Sequence, residues 1–192
     1  MREIVFATGN AHKLAEVQAV LGDEFRLVTA AGAGITEEIP ETGLTLEQNA
    51  SQKSHYLYER QGVDCFADDT GLEVDALGGA PGVHSARYAG EGHDFEANNR
   101  LLLENLEGAA DRSARFRTVI SLILDGREYL FEGRVEGRIA ESRSGCGGFG
   151  YDPLFIPEGS EVSFAEMTAD EKNAISHRGR AVRQLAEFLK NR

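Results

Sequence analysis

Two aspartates stand side by side at Asp68 and Asp69, directly after residues 63–67, which read as a short buried strand, and before Thr70 and Gly71. Carboxylates at the end of a buried strand lie at the C-terminal edge of a sheet, where α/β proteins bind ligands. Adjacent strand residues point to opposite faces, so the two acids take different tasks. One task is to hold a magnesium ion, which favours one or two carboxylates together with substrate phosphate. Another is to orient and deprotonate a water. A simple turn, in which aspartates accept from backbone donors, accounts for the same four residues.

Four further segments carry groups that complement such a pair. TGNAHK at 8–13 ends one apolar run and opens a helix. Backbone N–H groups there, with Lys13 one turn in, suit a phosphate, and Gly9 permits close approach. The plainer alternative is that Asn10 caps the helix and Lys13 is solvated. The segment is not a Walker A loop, because G-x-x-x-x-G-K-[ST] occurs nowhere in the chain. Glu41 offers a further metal ligand and Lys53 a further phosphate partner, although either one alone is commonly a surface charge. GGFGYDP at 147–153 frames Phe149 with glycines. A base stacked on such a ring gains about 1–3 kcal/mol, and Asp152 could accept from a ring edge or a ribose. Alternatively, Phe149 and Tyr151 fill the core. Lys172 precedes SHRG at 176–179, where an expected helix break exposes His177 and Arg178 as donors to purine carbonyls. HExxH, CxxC and G-x-S-x-G are absent, so zinc hydrolysis and a serine nucleophile have no support.

These groups must be positioned by elements that the periodicity outlines. Residues 3–7 read as a buried strand and 11–21 as a helix with Leu14, Val17 and Leu21 inward, stopped by Gly22. A strand follows at 25–29, then a loop over 30–44. Thr45 and Gln48 form a capping box for a helix running to about Arg60. After the strand at 63–67 and a loop at 77–92, residues 95–106 read as a helix with Leu102 and Leu106 inward. The period then changes to two. Ala114, Phe116, Ile120, Leu122 and Leu124 share one face, while Arg115, Arg117, Ser121 and Ile123 share the other. Asp125-Gly126 is a hairpin turn leading into a strand over 127–139. A loop at 145–150 and a capping box at Thr168 with Glu171 precede a final helix interrupted near 176–179. The class is α/β with a mixed sheet.

Composition narrows the function. Twenty basic against 32 acidic residues leave a net charge of −12, which disfavours polyanions such as DNA or RNA. A chain of 192 residues suits one domain over 1–192, or one core split into two lobes. No apolar stretch is long enough to span a membrane, and the apolar run at the N-terminus is too short for a signal-peptide core. Cys65 and Cys146 are too few for a disulfide framework, so a reducing cytoplasm is expected, with both thiols filling space.

Together the five segments resemble the inosine triphosphate pyrophosphatase family, the dITP/XTP diphosphatases. The matching stretches are TGNAHK at 8–13, ETGLT at 41–45 with Asn49, Ala50 and Lys53, ADDTGLEVDALGGAPGVHSARYAG at 67–90, GGFGYDPLF at 147–155 and SHRG at 176–179. They run in the family's order along nearly the whole chain. The resemblance implies Mg²⁺-dependent hydrolysis of ITP, dITP or XTP to monophosphate and pyrophosphate. It also implies an elongated α/β fold with two lobes around a central cleft, and a homodimer. Thr8, Gly9, Asn10, Ala11, His12 and Lys13 would hold the triphosphate. Asp69 would be general base and metal ligand, with Glu41 as second ligand. Lys53, Thr70, Phe149, Gly150, Tyr151, Asp152, Lys172, His177 and Arg178 would bind substrate. One departure is Gln48, where the family commonly has Glu; if that Glu helps bind metal, Gln48 weakens the site. A pyrophosphatase for modified pyrimidine nucleotides and a catalytically silent nucleotide sensor are the competing readings.

Overall fold

The structure, a computed structural model, describes residues 2–192. In chain order it comprises β1 (Arg2–Phe6), α1 (Ala11–Leu21), β2 (Phe25–Thr29), α2 (Leu46–Gln61), β3 (Cys65–Val74) and β4 (Pro81–Gly82). There follow α3 (Phe95–Asn105), β5 (Ser113–Leu124), β6 (Arg127–Ile139), β7 (Phe155–Pro157), α4 (Ala169–Ile175) and α5 (His177–Lys190). The seven strands form one sheet of order β2-β1-β3-β5-β6-β7, with β4 on β3. β1 is parallel to β2 and β3, whereas β4 on β3 and β7 on β6 are antiparallel, so the α/β sheet is mixed as expected. No helix among the described residues is long and apolar enough to cross a membrane.

The chain divides into two compact units. The first contains residues 1–69, 118–133 and 178–192; the second contains 70–117 and 134–177. Each has its own core. In the first unit Phe6 and Phe66 stack with centroids 4.5 Å apart, among Ile4, Val17, Leu21, Ile120, Leu122 and Leu185. In the second, Phe116, Phe155 and Phe164 pack with Leu72, Leu102 and Leu106. Fully burying each such side chain contributes about 1.5–3 kcal/mol.

Local chemistry explains most boundaries. Asn10 caps α1 by accepting from the backbone N–H groups of His12 and Lys13. α2 stops at Gly62, whose φ of 62° is the left-handed conformation that ends helices. Asp125 and Gly126 both have positive φ, as a two-residue hairpin turn between β5 and β6 requires.

Several expectations are corrected. The strand at 63–67 does not end before the aspartates. β3 runs on through Asp68, Asp69 and Thr70 to Val74, because the apolar face resumes at Leu72 and Val74, both fully buried. The acids therefore sit mid-strand, neither at a sheet edge nor in a turn. The two faces of β5 do not separate cleanly. From Thr118 to Leu124 every residue is buried, since β5 lies between β3 and β6 with both faces covered. The capping box at Thr45 is half-formed: Thr45 accepts from Gln48 N–H, but Gln48 Oε1 accepts from Leu44 N–H instead of Thr45 N–H. At Thr168 both halves are present. The final interruption is only Ser176, and 177–179 are already helical. Cys146 is exposed and fills no core, whereas Cys65 is buried.

Candidate active site

The first unit gathers charge. Asp68 and Asp69, adjacent on β3, project to opposite faces and meet different cations. Asp68 Oδ1 accepts from Lys13 Nζ at 3.0 Å, and its Oδ2 lies 3.5 Å from Arg178 Nε. Arg178 also pairs with Glu16 on α1. Asp69 Oδ1 instead meets Lys53 Nζ at 3.4 Å, and the same ammonium is 2.6 Å from Glu41 Oε1. Lys53, Asp68, Asp69 and Arg178 are all buried.

These contacts set the protonation states. Burial pushes the Asp68 carboxyl up, but Lys13 and Arg178 overcome it and hold it down at about 2. Burial likewise raises Asp69, and Glu41 and Asp68 add to this, so the Lys53 and Lys13 ammoniums fail to cancel the rise. Burial lowers Lys13. For Lys53 the carboxylates of Asp69 and Glu41 outweigh the opposing effect of burial, and the amine is held charged. One acid is thus a fixed anion, while its neighbour is a carboxylate with raised proton affinity.

Asp69 Oδ2 is buried and has no hydrogen-bond partner. A buried anionic oxygen without a donor is costly unless a ligand completes it. Among the described residues no group of three or more His, Cys, Asp or Glu converges. Two carboxylates still suit magnesium, which takes its other ligands from water and substrate phosphate. Glu41 and Asp69, gathered around one ammonium, fit that demand.

Thr8 Oγ1 accepts from Asn10 N–H, so it helps shape the turn before α1. Gly9 and His12 are exposed. Asn10 caps the helix, as in the plainer reading, yet Lys13 is half-buried and paired with Asp68 instead of fully solvated. The N–H groups of Gly9 and Ala11 meet no acceptor among the described residues. Gln48 is exposed and its side chain is spent on Leu44. Glu16 was missed; its only signal is the helical spacing of three from Lys13.

The second unit gathers packing and backbone. Lys172 Nζ donates to Asp152 Oδ2 at 2.6 Å, and Phe149 N–H donates to the same oxygen at 2.9 Å. Asp152 is buried, so its Oδ2 organises the loop and is not a solvent-facing acceptor. The Lys172 ammonium stands 5.0 Å from the centre of the Phe149 ring. The backbone of this loop favours glycine at position 148. Its φ is +68°, and a Cβ there would lie 2.1 Å from Asp152 Oδ2. Tyr151 is buried and its hydroxyl donates to Ser85 O at 2.6 Å. Half-buried Thr70 is the unit's first residue.

SHRG is not an exposed break. Ser176, His177 and Arg178 are all buried, because α5 starts at His177 and its first turn faces inward. His177 stacks on Phe116 with centroids 4.5 Å apart and ring planes 14° apart. It belongs to the second unit, and Arg178 to the first.

The chain is similar to known proteins over nearly its whole length. The chain is 54% identical over 190 residues to a dITP/XTP pyrophosphatase of Porphyromonas gingivalis, covering 98% of each. It is 51% identical to the protein of that name from Christiangramia forsetii, covering 97% of this chain and 98% of that one. A solved HAM1 protein of Coxiella burnetii superposes with a TM-score of 0.91 at 40% identity, over 100% of both chains. The sequence model of the Ham1 family matches residues 4–188, and the chain belongs to that family.

Proposed function

We propose that the protein hydrolyses the non-standard purine nucleoside triphosphates dITP, ITP and XTP to monophosphate and pyrophosphate with Mg²⁺, cleansing the nucleotide pool. Asp69 carries the proposal. It is a buried carboxylate with raised proton affinity and one oxygen lacking a donor, among lysines that suit phosphate. The Porphyromonas gingivalis and Christiangramia forsetii relatives are named dITP/XTP pyrophosphatases, which supports the same substrate class.

The chain's own residues divide the work. Lys13 and Lys53 neutralise phosphate charge, and within the 8–13 segment Gly9 and Ala11 supply backbone N–H donors. Asp69 orients a water in line with the α-phosphorus and takes its proton. A raised proton affinity makes it a stronger base than an ordinary aspartate. Glu41 and Asp69 would hold magnesium, which when bound would offset charge developing on the phosphate oxygens. Asp68 stays ionised and holds Lys13 and Arg178 in place. Arg178, His177 and the backbone N–H groups of Gly150 and Tyr151 donate to the 6-oxo group of hypoxanthine or xanthine, which adenine replaces with an amino donor. Buried polar mismatches of that kind discriminate strongly. Phe149 stacks on the base, Thr70 and Lys172 bind substrate, and Asp152 holds Lys172 and the loop. The enzyme is taken to act in the cytoplasm as a homodimer, without nucleic acid or membrane.

Product analysis tests this. Purified protein is given ITP, XTP, dITP, ATP and GTP, with Mg²⁺ or chelator, and pyrophosphate and orthophosphate are quantified separately. Pyrophosphate from the non-standard purines alone, lost on chelation, is expected. Orthophosphate release, or equal turnover of ATP and GTP, overturns the reading.

A further inference from the structure

Asn99 lies on α3 and is 1% exposed. Its Nδ2 donates to Phe95 O at 2.7 Å and to Gly150 O at 2.8 Å. Two carbonyl partners fix which end of the amide is nitrogen. The other end, Oδ1, is buried with no hydrogen-bond partner. A leucine there would pack without leaving an acceptor bare, so packing alone does not account for an asparagine.

The consequence lies across the next peptide plane. In a planar trans peptide the carbonyl and the following N–H point opposite ways. Holding Gly150 C=O on Asn99 therefore aims Tyr151 N–H away from the amide. Neither Tyr151 N–H nor Gly150 N–H meets an acceptor among the described residues. The Tyr151 hydroxyl is anchored on Ser85 O, and the Phe95 ring meets Phe149 at 6.1 Å. Phe95 and Asn99 of α3 thus brace two consecutive members of the loop.

We propose that Asn99 is a positioning residue for base selectivity: it clamps the Gly150 carbonyl so that the next N–H is presented to a carbonyl oxygen on the base. This rests on the reading that loop 149–152 takes the base. A 6-oxo purine supplies an acceptor there, whereas a 6-amino purine sets donor against donor.

The test compares wild type with Asn99→Asp, which keeps the shape but replaces the donor by an oxygen. Asn99→Ser, which removes the amide without adding charge, is the second variant. KM and kcat are measured with ITP and ATP, alongside ¹H–¹⁵N spectra of ligand-free protein. The expected result is a KM for ITP raised about tenfold or more with kcat within about threefold, the signature of lost ground-state binding. The preference for ITP over ATP shrinks in parallel, and the Tyr151 amide resonance moves. A folded variant with unchanged KM and unchanged ITP preference overturns the proposal, even if its melting temperature drops. If Asn99→Asp fails to fold, Asn99→Ser is held to the same criterion. If wild type itself does not turn over ITP, the functional reading fails separately. The Tyr151 resonance then decides the clamp: movement in the variants supports it, and no movement overturns it.

Discussion

The two units solve different problems with different materials. The first brings Lys13, Lys53, Glu41, Asp68, Asp69 and Arg178 into chains of alternating charge, buried or partly so. Around loop 149–152 the second has the buried Lys172–Asp152 ion pair, a stacked histidine, an aromatic ring and a loop N–H held by the Asp152 carboxylate. The first suits phosphate, whose recognition is mainly electrostatic; the second suits a flat ring, whose recognition depends on shape and hydrogen-bond pattern. Losses in the first should therefore fall on turnover, and losses in the second on stability and selectivity.

The strongest test of that division is Asp69→Asn. Removing a general base costs about 10²–10⁴ in rate, while nucleotide binding measured by calorimetry should persist. Near-normal kcat would move the base role to Asp68 and break the contrast between the two acids. Next is Lys172→Met in the second unit. It leaves Asp152 buried without its ammonium, and stripping one partner from a buried pair costs about 3–5 kcal/mol. Urea unfolding reads this directly; a loss below 1 kcal/mol would mean that the pair behaves as a surface contact.

A pH titration of stability reads the Asp68 network. The folded carboxyl is held at about 2, against an ordinary 3.8. A depressed acid stabilises the fold above its unfolded value, and that stability is lost as pH falls from about 4 toward 2. The amount is about 2 kcal/mol. Asp68→Asn should flatten this portion of the acid limb; an unaltered limb would show that the ion pairs contribute nothing there. The smallest effect is expected for Gly148→Ala. A left-handed alanine costs about 1–2 kcal/mol, and the new methyl must displace Asp152 Oδ2. The rise should appear in KM for ITP more than in kcat; an equal fall in both would place the loop in the chemical step.

The sequence by itself determined most of the helices and their ends, because capping and stop signals act within a few residues; the break between α4 and α5 is the exception. α1 and β6 match their expected bounds, and Gly62 and Asp125-Gly126 stop and turn the chain as their types require. It also marked the groups that carry charge, since their types cluster in short motifs. Tertiary structure alone decided what those groups touch. That β3 continues through the aspartates depends on Leu72 and Val74 finding a core, and β5 is buried on both faces because it has a strand on either side. The pairing of Asp68 with Lys13 and Arg178, and of Asp69 with Lys53, joins residues far apart in the chain. Local propensity acts over a few residues, whereas desolvation and Coulomb attraction depend on distances that exist only once the chain has folded.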